Sequence, residues 1–411
     1  MAQRASYGRL DAMVLDADER QSLVTVRSLG RTGLSVGAFD DTPYPPAATS
    51  RWCKARRRLP DGADSWRYLD AVLDLVRRHR PRVMFTARDS TIEALRERRA
   101  EIERETMLAL PAEPALEIAV SKERTLALAQ RLGIPVPLSV PIPDPGAAAD
   151  GTARTGLPAV VKPVRSWVQT ADGAGRRLSC VVVTDAPEAR RATEAAMRAG
   201  GQVLLQEWLR GSREAVSLIC VDGRIRARFA QVARRMLPPL GGSSIVRESI
   251  PLPADLTEAA EALVLAADLE GYVEVEFRRD VEGNAYLMEM NPRLSASVEI
   301  AVRSGVDFPQ LLYTWARGAA MPSPPAYRVG VQMRWLGGDI QWLQQTLAGR
   351  GRPETVPPAT ALRQFARDSM TPYYYDYVMV RDPGPALTAT SRMLAKAVLR
   401  RYRSHRLEVA A

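Results

Sequence analysis

Short apolar runs alternate with amphipathic stretches through the N-terminal part of the chain. DAMVLDA (11–17), LSVGAFD (34–40) and PRVMFTARD (81–89) are compact apolar segments of strand length. Between the first two, a helical pattern closes near Gly30 and Gly33. SWRYLDAVLDLVRRH (65–79) repeats its apolar positions at helical spacing, and STIEALRERRAEIE (90–103) begins at a Ser90 or Thr91 cap. This alternation predicts a small parallel α/β sheet.

The pattern changes after Ser121. SKERTLALAQRLG reads as a helix from an N-cap serine to Gly133, and is followed by a Pro-rich stretch (136–145) and an Ala/Gly linker (146–156). Strands are expected at LPAVVKP (157–163), LSCVVV (178–183) and QVLLQEWL (202–209), with the helix PEARRATEAAMRAG before the last. AVSLICVDG and RIRARFAQVA add two more, so 157–233 reads as an α+β unit with antiparallel strands. An amphipathic helix over 254–270 stops at Gly271. GYVEVEFRRD and NAYLMEMNPR then form a hairpin around DVEGN, with Gly283 at the bend. Beyond residue 325 Pro-rich gaps and a tyrosine cluster precede a basic C-terminal helix, and no fold pattern is legible.

Strand side chains alternate faces, so the hairpin carries a chemical prediction. Val273, Val275 and Phe277 share one face; Glu274 and Glu276 share the other, and Glu289 and Asn291 share a face of the second strand. Pairing brings Glu276, Glu289 and Asn291 onto one surface. Two carboxylates and an amide oxygen make a hard-oxygen site suited to magnesium, whereas without a cation the two acids would repel. A solvated polar sheet face is the plain alternative.

Composition sharpens the picture in one respect. The net charge of +10 comes from 57 basic residues, of which only Lys54, Lys122, Lys162 and Lys396 are lysine. An arginine excess spread along the chain reads as compositional bias, and with 6% aromatics and no aromatic–basic motif it does not point to nucleic acid. Each lysine is therefore informative. Lys162 ends an apolar strand, and Lys122 opens a helix, where the dipole disfavours a cation unless an anion is near. The only histidines are His79 and His405, in no metal or triad pattern. Cys53, Cys180 and Cys220 fit neither a disulfide framework nor a zinc site. No apolar run spans a bilayer and the first residues are not patterned as a signal peptide, so a reducing cytoplasm is expected.

QVLLQEWLRGSRE adds an apolar strand that runs into Gln206, Glu207, Trp208 and Leu209 before turning at Gly211, with Glu214 beyond. The order Lys122, Lys162 in VVKP, QEWL with Glu214, EVEFRRD, then MEMNPR resembles the ATP-grasp superfamily, in particular its carboxylate–amine ligase branch, over residues 113–318. The core is also similar to that of D-alanine–D-alanine ligase and biotin carboxylase. The resemblance implies an ATP-grasp fold, α/β and α+β, preceded by a small Rossmann-like α/β domain: residues 1–112 before the grasp, 113–325 the core (nucleotide-clamping part about 157–210), and 326–411 an extension. It implies ATP and one or two Mg2+ ions as cofactors. Lys122 and Lys162 would contact phosphates; Gln206, Glu207, Trp208 and Leu209 would line the adenine hinge; Glu214 would hold the ribose. Glu276, Glu289 and Asn291 would bind magnesium, and Arg293 would be catalytic, stabilising charge in phosphoryl transfer.

The implied reaction joins a small-molecule carboxylate to an amine through an acyl phosphate. An ATP-dependent phosphotransferase and a non-catalytic ATP-binding protein remain open, and a biotin-dependent carboxylase would need a carrier segment that the chain does not display. A homodimer is common in such proteins. Asp16, Asp18, Asp40 and Thr86, at the carboxyl ends of the first strands, are candidates for substrate contact. Loops 171–177 and 234–244 are candidate covers, with Arg234, Arg235 or Arg247 meeting an anionic substrate. Arg400, Arg401, Arg403 and Arg406 face either solvent or anionic lipid.

Overall fold

The computed structural model describes residues 8–62, 65–165, 167–169, 175–323, 326–349 and 355–395. His405, Lys396, the basic C-terminal segment and most of loop 171–177 lie outside them. Three sheets organise the chain. The first is parallel throughout and contains β1 (Ala12–Val14), β2 (Val36–Asp40), β3 (Cys53–Arg58), β4 (Val83–Phe85) and β5 (Met107–Leu108), in the order 3-2-1-4-5. It is the Rossmann-like sheet expected from the βα alternation. β3 was not legible, because CKARRR has no apolar run; it is an edge strand with four exposed residues.

The second sheet has four antiparallel strands. β6 (Ser139–Ile142) and β7 (Ala159–Pro163) come first. A separate ribbon of β8 (Trp167–Gln169) and β9 (Gly175–Arg177) follows, and then β10 (Val181–Val183) and β11 (Val203–Glu207) complete the sheet. The order is 10-7-11-6. Two expectations change here. The Pro-rich stretch contains β6, which tolerates Pro141 because it lies at the edge and pairs with β11 alone. The Ala/Gly linker is a helix, Ala148–Thr155. Asp144 caps the short 3-10 turn that precedes it, Pro145–Ala147, by accepting from the Gly146 and Ala147 amides at 2.7 and 3.3 Å, and Gly156 ends the helix at φ +75°.

The third sheet is the largest. It comprises β12 (Ser212–Val221), β13 (Arg224–Leu237), β14 (Ser243–Ile250), β15 (Gly271–Arg279), β16 (Ala285–Asn291), β17 (Gln332–Arg334) and β18 (Tyr374–Tyr375), in the order 16-15-12-13-14-17-18. Its two last strands come from the part of the chain where no pattern was legible. The predicted hairpin is β15 and β16. Val273, Val275 and Phe277 are buried beneath the helix Ala254–Ala266, against its Leu256, Leu263 and Val264. The opposite face, with Glu274 and Glu276, is left to chemistry.

Buried ion pairs fasten the C-terminal strands. Arg27, 1% exposed, donates to Asp382 at 2.9 Å and to the carbonyls of Asp376 and Tyr377. Asp376 also receives Arg247, and Arg235 bridges Asp339 and Asp368 at 2.7 and 2.6 Å. Arg235 and Arg247 are therefore held inside, and Arg234 pairs with Glu248 at 3.0 Å. The expectation that these arginines meet an anionic substrate is corrected: Arg235 and Arg247 are buried in ion pairs, and none of the three lines either of the cavities described below.

Candidate active site

A cleft opens where the second sheet faces the hairpin side of the third. The chain passes between the two sheets at residues 208–211. Gly211 makes that crossing feasible: its φ is +142°, and a Cβ there would lie 1.9 Å from the Arg279 carbonyl oxygen. The cleft is a cavity of about 720 Å3, lined by Lys122, Lys162, Gln206, Glu207, Trp208, Leu209, Glu276, Glu289, Asn291 and Arg293. Ten of the eleven predicted site residues thus meet in one space. The last strands of the sequence motif and the first lysines, far apart in the chain, meet there, Lys162 reaching the Met288 carbonyl of β16.

The acidic wall follows from strand register. Glu276 of β15 lies directly opposite Glu289 of β16, and Glu274 opposite Asn291. Asn291 Nδ2 donates to Glu276 Oε1 and Glu289 Oε1, both at 3.2 Å. Glu276 also takes a two-pronged contact from Arg213, with Nε to Oε2 at 2.7 Å and the second prong to Oε1. Burial, together with Glu289 and Glu274 nearby and against the pull of Arg213, pushes the Glu276 carboxyl up to about 7. Glu289 goes the other way. Burial alone would raise it, but Lys122, Lys162, Asn291 and Arg213 hold it below the usual carboxylate range.

The cationic wall is equally enclosed. Lys162, 4% exposed, donates to the Met288 carbonyl at 3.0 Å and to Gln206 Oε1 at 3.4 Å. Burial lowers its ammonium pKa despite Glu289. Lys122, 7% exposed, follows the Ser121 cap of the helix Lys122–Arg131. The polar strand end between these walls is braced: Gln206 donates to Ser139 at 2.9 Å, Glu207 accepts from the Leu138 amide at 2.7 Å, and the Leu209 carbonyl accepts from Arg278 at 2.7 Å. Trp208 donates to the Leu240 carbonyl at 3.1 Å, which ties it to the loop between β13 and β14. Part of the predicted cover 234–244 is strand, and its turn, Pro238–Gly242, lines the cavity.

Glu214 is the exception. It occupies the opposite face of β12 from the paired acids, accepts from Arg279 at 3.3 Å, and does not line the cavity. Its assignment to a ribose does not fit this geometry. The neighbour facing the cavity is Arg213, which the sequence reading missed because it took this segment as a turn; β12 already begins at Ser212. Asp89 was missed as well. It opens a helix of the first sheet's unit and receives Arg293 Nε at 2.6 Å, a contact with no local sequence signal.

The candidate contacts at the N-terminal strand ends are mostly structural. Asp16 accepts from Thr86, the Ala87 and Arg88 amides and Thr91 at 2.6–2.9 Å. Asp40 accepts from the Asp18 amide and twice from Thr42. Asp16, Asp40 and Thr86 fix loops, whereas Asp18 pairs with Arg392 and lines a second cavity.

The acidic pair suits magnesium. Two opposed carboxylates, one of them forced toward protonation by the other and by burial, are a charge arrangement that a divalent cation relieves, and half a turn of the Asn291 amide would present its oxygen to the same spot. Among the described residues no group of three or more His, Cys, Asp or Glu converges as a metal centre, so water and phosphate would complete such a site.

Residues 201–338, about a third of the chain, match the family model described as ATP-grasp in the biosynthetic pathway with Ter operon. This stretch of the chain carries an ATP-grasp sequence pattern. D-alanine–D-alanine ligase of Pseudomonas putida (strain GB-1) is 24% identical over 212 residues, which is 48% of this chain and 64% of the relative's length. Biotin carboxylase of Campylobacter jejuni, solved as a βγ-ATP complex, superposes with a TM-score of 0.62 at 17% identity, over 79% of this chain and 74% of that one. L-amino acid ligase from Bacillus licheniformis gives 0.56 at 17% identity, over 77% and 75%. At these identities the solved structures establish the ATP-grasp fold. No helix among the described residues is long and apolar enough to cross a membrane.

Proposed function

We propose that this ATP-grasp protein is a carboxylate–amine ligase that forms an acyl phosphate and then an amide bond, releasing ADP and phosphate. The observation that carries the reading is the face-to-face arrangement of Glu276 and Glu289 across one strand pair, with Lys122 and Lys162 beside them and Arg293 lining the same cavity. Mg-ATP, when bound, supplies the phosphoryl group that activates the substrate carboxylate. Glu276, Glu289 and Asn291 would hold one or two magnesium ions, and Lys122 and Lys162 would neutralise phosphate oxygens. Lys162 is desolvated already, so little solvent must leave it when an anion arrives. Gln206 through Leu209 would receive the adenine along a braced strand end. Arg293, held by Asp89, would stabilise negative charge as the phosphoryl group moves and as the amine adds. Positioning and charge neutralisation suffice for such chemistry, so the near absence of histidine is no obstacle. The free cysteines Cys53, Cys180 and Cys220 support a reducing, cytoplasmic setting.

The test is ATP turnover with a panel of carboxylates in hydroxylamine, reading ADP, free phosphate and acyl hydroxamate together. Hydroxamate in step with ADP and phosphate is the expected result. ADP without phosphate or hydroxamate would instead identify a phosphotransferase.

A further inference from the structure

A second cavity, about 1280 Å3, adjoins the first and shares Arg20, Asp89 and Arg293 with it. It lies between the carboxyl ends of the first sheet and the segments 335–344 and 375–394. Its walls are of two kinds. One side is apolar and aromatic, with Trp335, Ile340, Tyr377 and Met393. The opposite corner is charged, and its charges do not balance.

The other arginines on this surface each have a carboxylate at hand. Arg20 reaches Asp376 at 3.5 Å and stacks 4.3 Å over Trp335; Arg392 pairs with Asp18; Arg293 pairs with Asp89 at 2.6 Å. Arg88 is different. It serves Asp16, Glu19, Asp40 and Asp41 at once, at 3.8, 3.0, 3.3 and 3.4 Å. Four carboxylates around one guanidinium leave a negative excess. Glu19 and Asp41 turn that excess toward the cavity, while Asp16 and Asp40 are buried behind them. Arg58 donates to the Asp41 carbonyl from the exposed side and does not line the space, and Arg293, which does and also feels Glu19, is already committed to Asp89. Burial and the adjacent Asp40 hold the Asp41 carboxyl above its ordinary range, as expected where a cation is wanting.

An independent observation points the same way. Gln21, 3% exposed, lines the same cavity; its amide nitrogen donates to the Ala87 carbonyl at 3.0 Å, and its Oε1 has no hydrogen-bond partner. A buried acceptor without a donor is costly, and a ligand N–H would satisfy it.

We propose that this cavity receives a substrate with a protonated amine or guanidinium at one end and an apolar body, its cationic end seated among Glu19, Asp41 and Gln21. A free carboxylate is repelled from that corner and tolerated only at the Arg293 end, next to the nucleotide cavity. The proposal rests on the ligase reading for the word substrate, but not for the binding itself. The volume, about 1280 Å3, exceeds what a single small amino acid would fill and lies above the usual range of pockets for drug-sized ligands.

Three probes of one shape test it: 4-phenylbutylamine, 4-phenylbutanol and 4-phenylbutyrate, titrated into the full chain without nucleotide. Calorimetry reads the binding. The amine should bind at least about tenfold more tightly than the alcohol, as a charge-assisted hydrogen bond requires, and the carboxylate least. Glu19→Gln with Asp41→Asn should abolish the preference while Mg-ATP still binds, which also shows that the variant folds. Equal binding of amine and alcohol, tighter binding of the carboxylate, no measurable amine binding, or an unchanged preference in the variant would each overturn the proposal. The wild-type series decides even if the variant does not fold. The hydroxylamine assay separates the two ideas: amine binding without hydroxamate sinks the ligase reading alone, whereas hydroxamate with no amine preference sinks this proposal alone.

Discussion

Two sets of buried carboxylates occupy comparable places in this molecule, and they differ in what surrounds them. At the carboxyl ends of the first sheet, Asp16 is saturated by four donors, three from the loop 86–88 and Thr91 from the helix after it. At the hairpin, Glu276 and Glu289 face each other, and among the described residues Asn291 and Arg213 are side chains that donate to them. An acid whose oxygens are all taken by local backbone and hydroxyl groups holds a loop. An acid set against another acid is held in tension that a ligand relieves. Both sets are carboxylates in enclosed surroundings; the donor inventory separates structure from chemistry.

Substitution should divide the two sets sharply. Glu289→Ala should lower turnover by more than about 100-fold, since even the outer partners of a metal ligand cost 10–100-fold, and should weaken Mg-ATP binding while the fold survives. Near-normal activity would end the metal argument. Arg293→Ala should reduce turnover by about 100- to 1000-fold with a much smaller change in ATP affinity, as for a group that meets charge developing in the transition state. Equal losses in turnover and affinity would make it a binding residue. Asp16→Asn tests the other side. Its backbone, at φ 55°, suits asparagine, so only the charge and acceptor capacity change. We expect a loss of about 1–3 kcal/mol in unfolding free energy and an unchanged dissociation constant for Mg-ATP. A changed ATP affinity with unchanged stability would reverse the assignment.

Protonation gives a subtler contrast. The Glu276 carboxyl sits near 7 in the native state, above an ordinary value of 4.5. The folded protein therefore keeps a proton that the unfolded chain releases between those values. Stability from this group is present below about 4.5 and is lost as pH rises toward 7. In urea unfolding of the metal-free protein, the difference between wild type and Glu276→Gln should shift against the wild type from pH 4.5 to pH 8. A flat difference would show that Arg213 fully compensates the acid pair.

Strand periodicity made the hairpin legible, and with it Glu276, Glu289 and Asn291, because the faces of a two-stranded unit follow from counting residues. The lysines were legible for a different reason: in an arginine-biased chain, four lysines stand out. What the sequence hid is non-local or short. β17 and β18 have three and two residues, too few for a period; they pair with β14 and with each other, and buried ion pairs such as Arg247 with Asp376 hold them there. β6 was masked by its prolines, which only an edge position excuses. Asp89 reaches Arg293 from another unit of the chain, so no spacing rule could pair them.

Glu214 is where counting failed, and it offers the finest test of the comparison. The sequence pattern places a turn at Gly211 and begins the next strand at Ala215, which leaves the faces of residues 212–214 unassigned. In the structure β12 begins at Ser212, and alternation sends Arg213 toward Glu276 and Glu214 to the far side, where Arg279 and Ser212 hold it. The acid is thus of the saturated kind, outside the cavity. Glu214→Gln should leave Mg-ATP affinity within about twofold of wild type, the range of substitutions away from a site. Arg213→Met removes the cation that faces the acid pair, so it should raise the Glu276 carboxyl further and weaken Mg-ATP binding at neutral pH more than at pH 8.5. If Glu214→Gln instead costs tenfold or more in ATP affinity at both pH values, the cavity in its loaded form must reach round the edge of β12, and the ribose assignment made from the sequence pattern would stand after all.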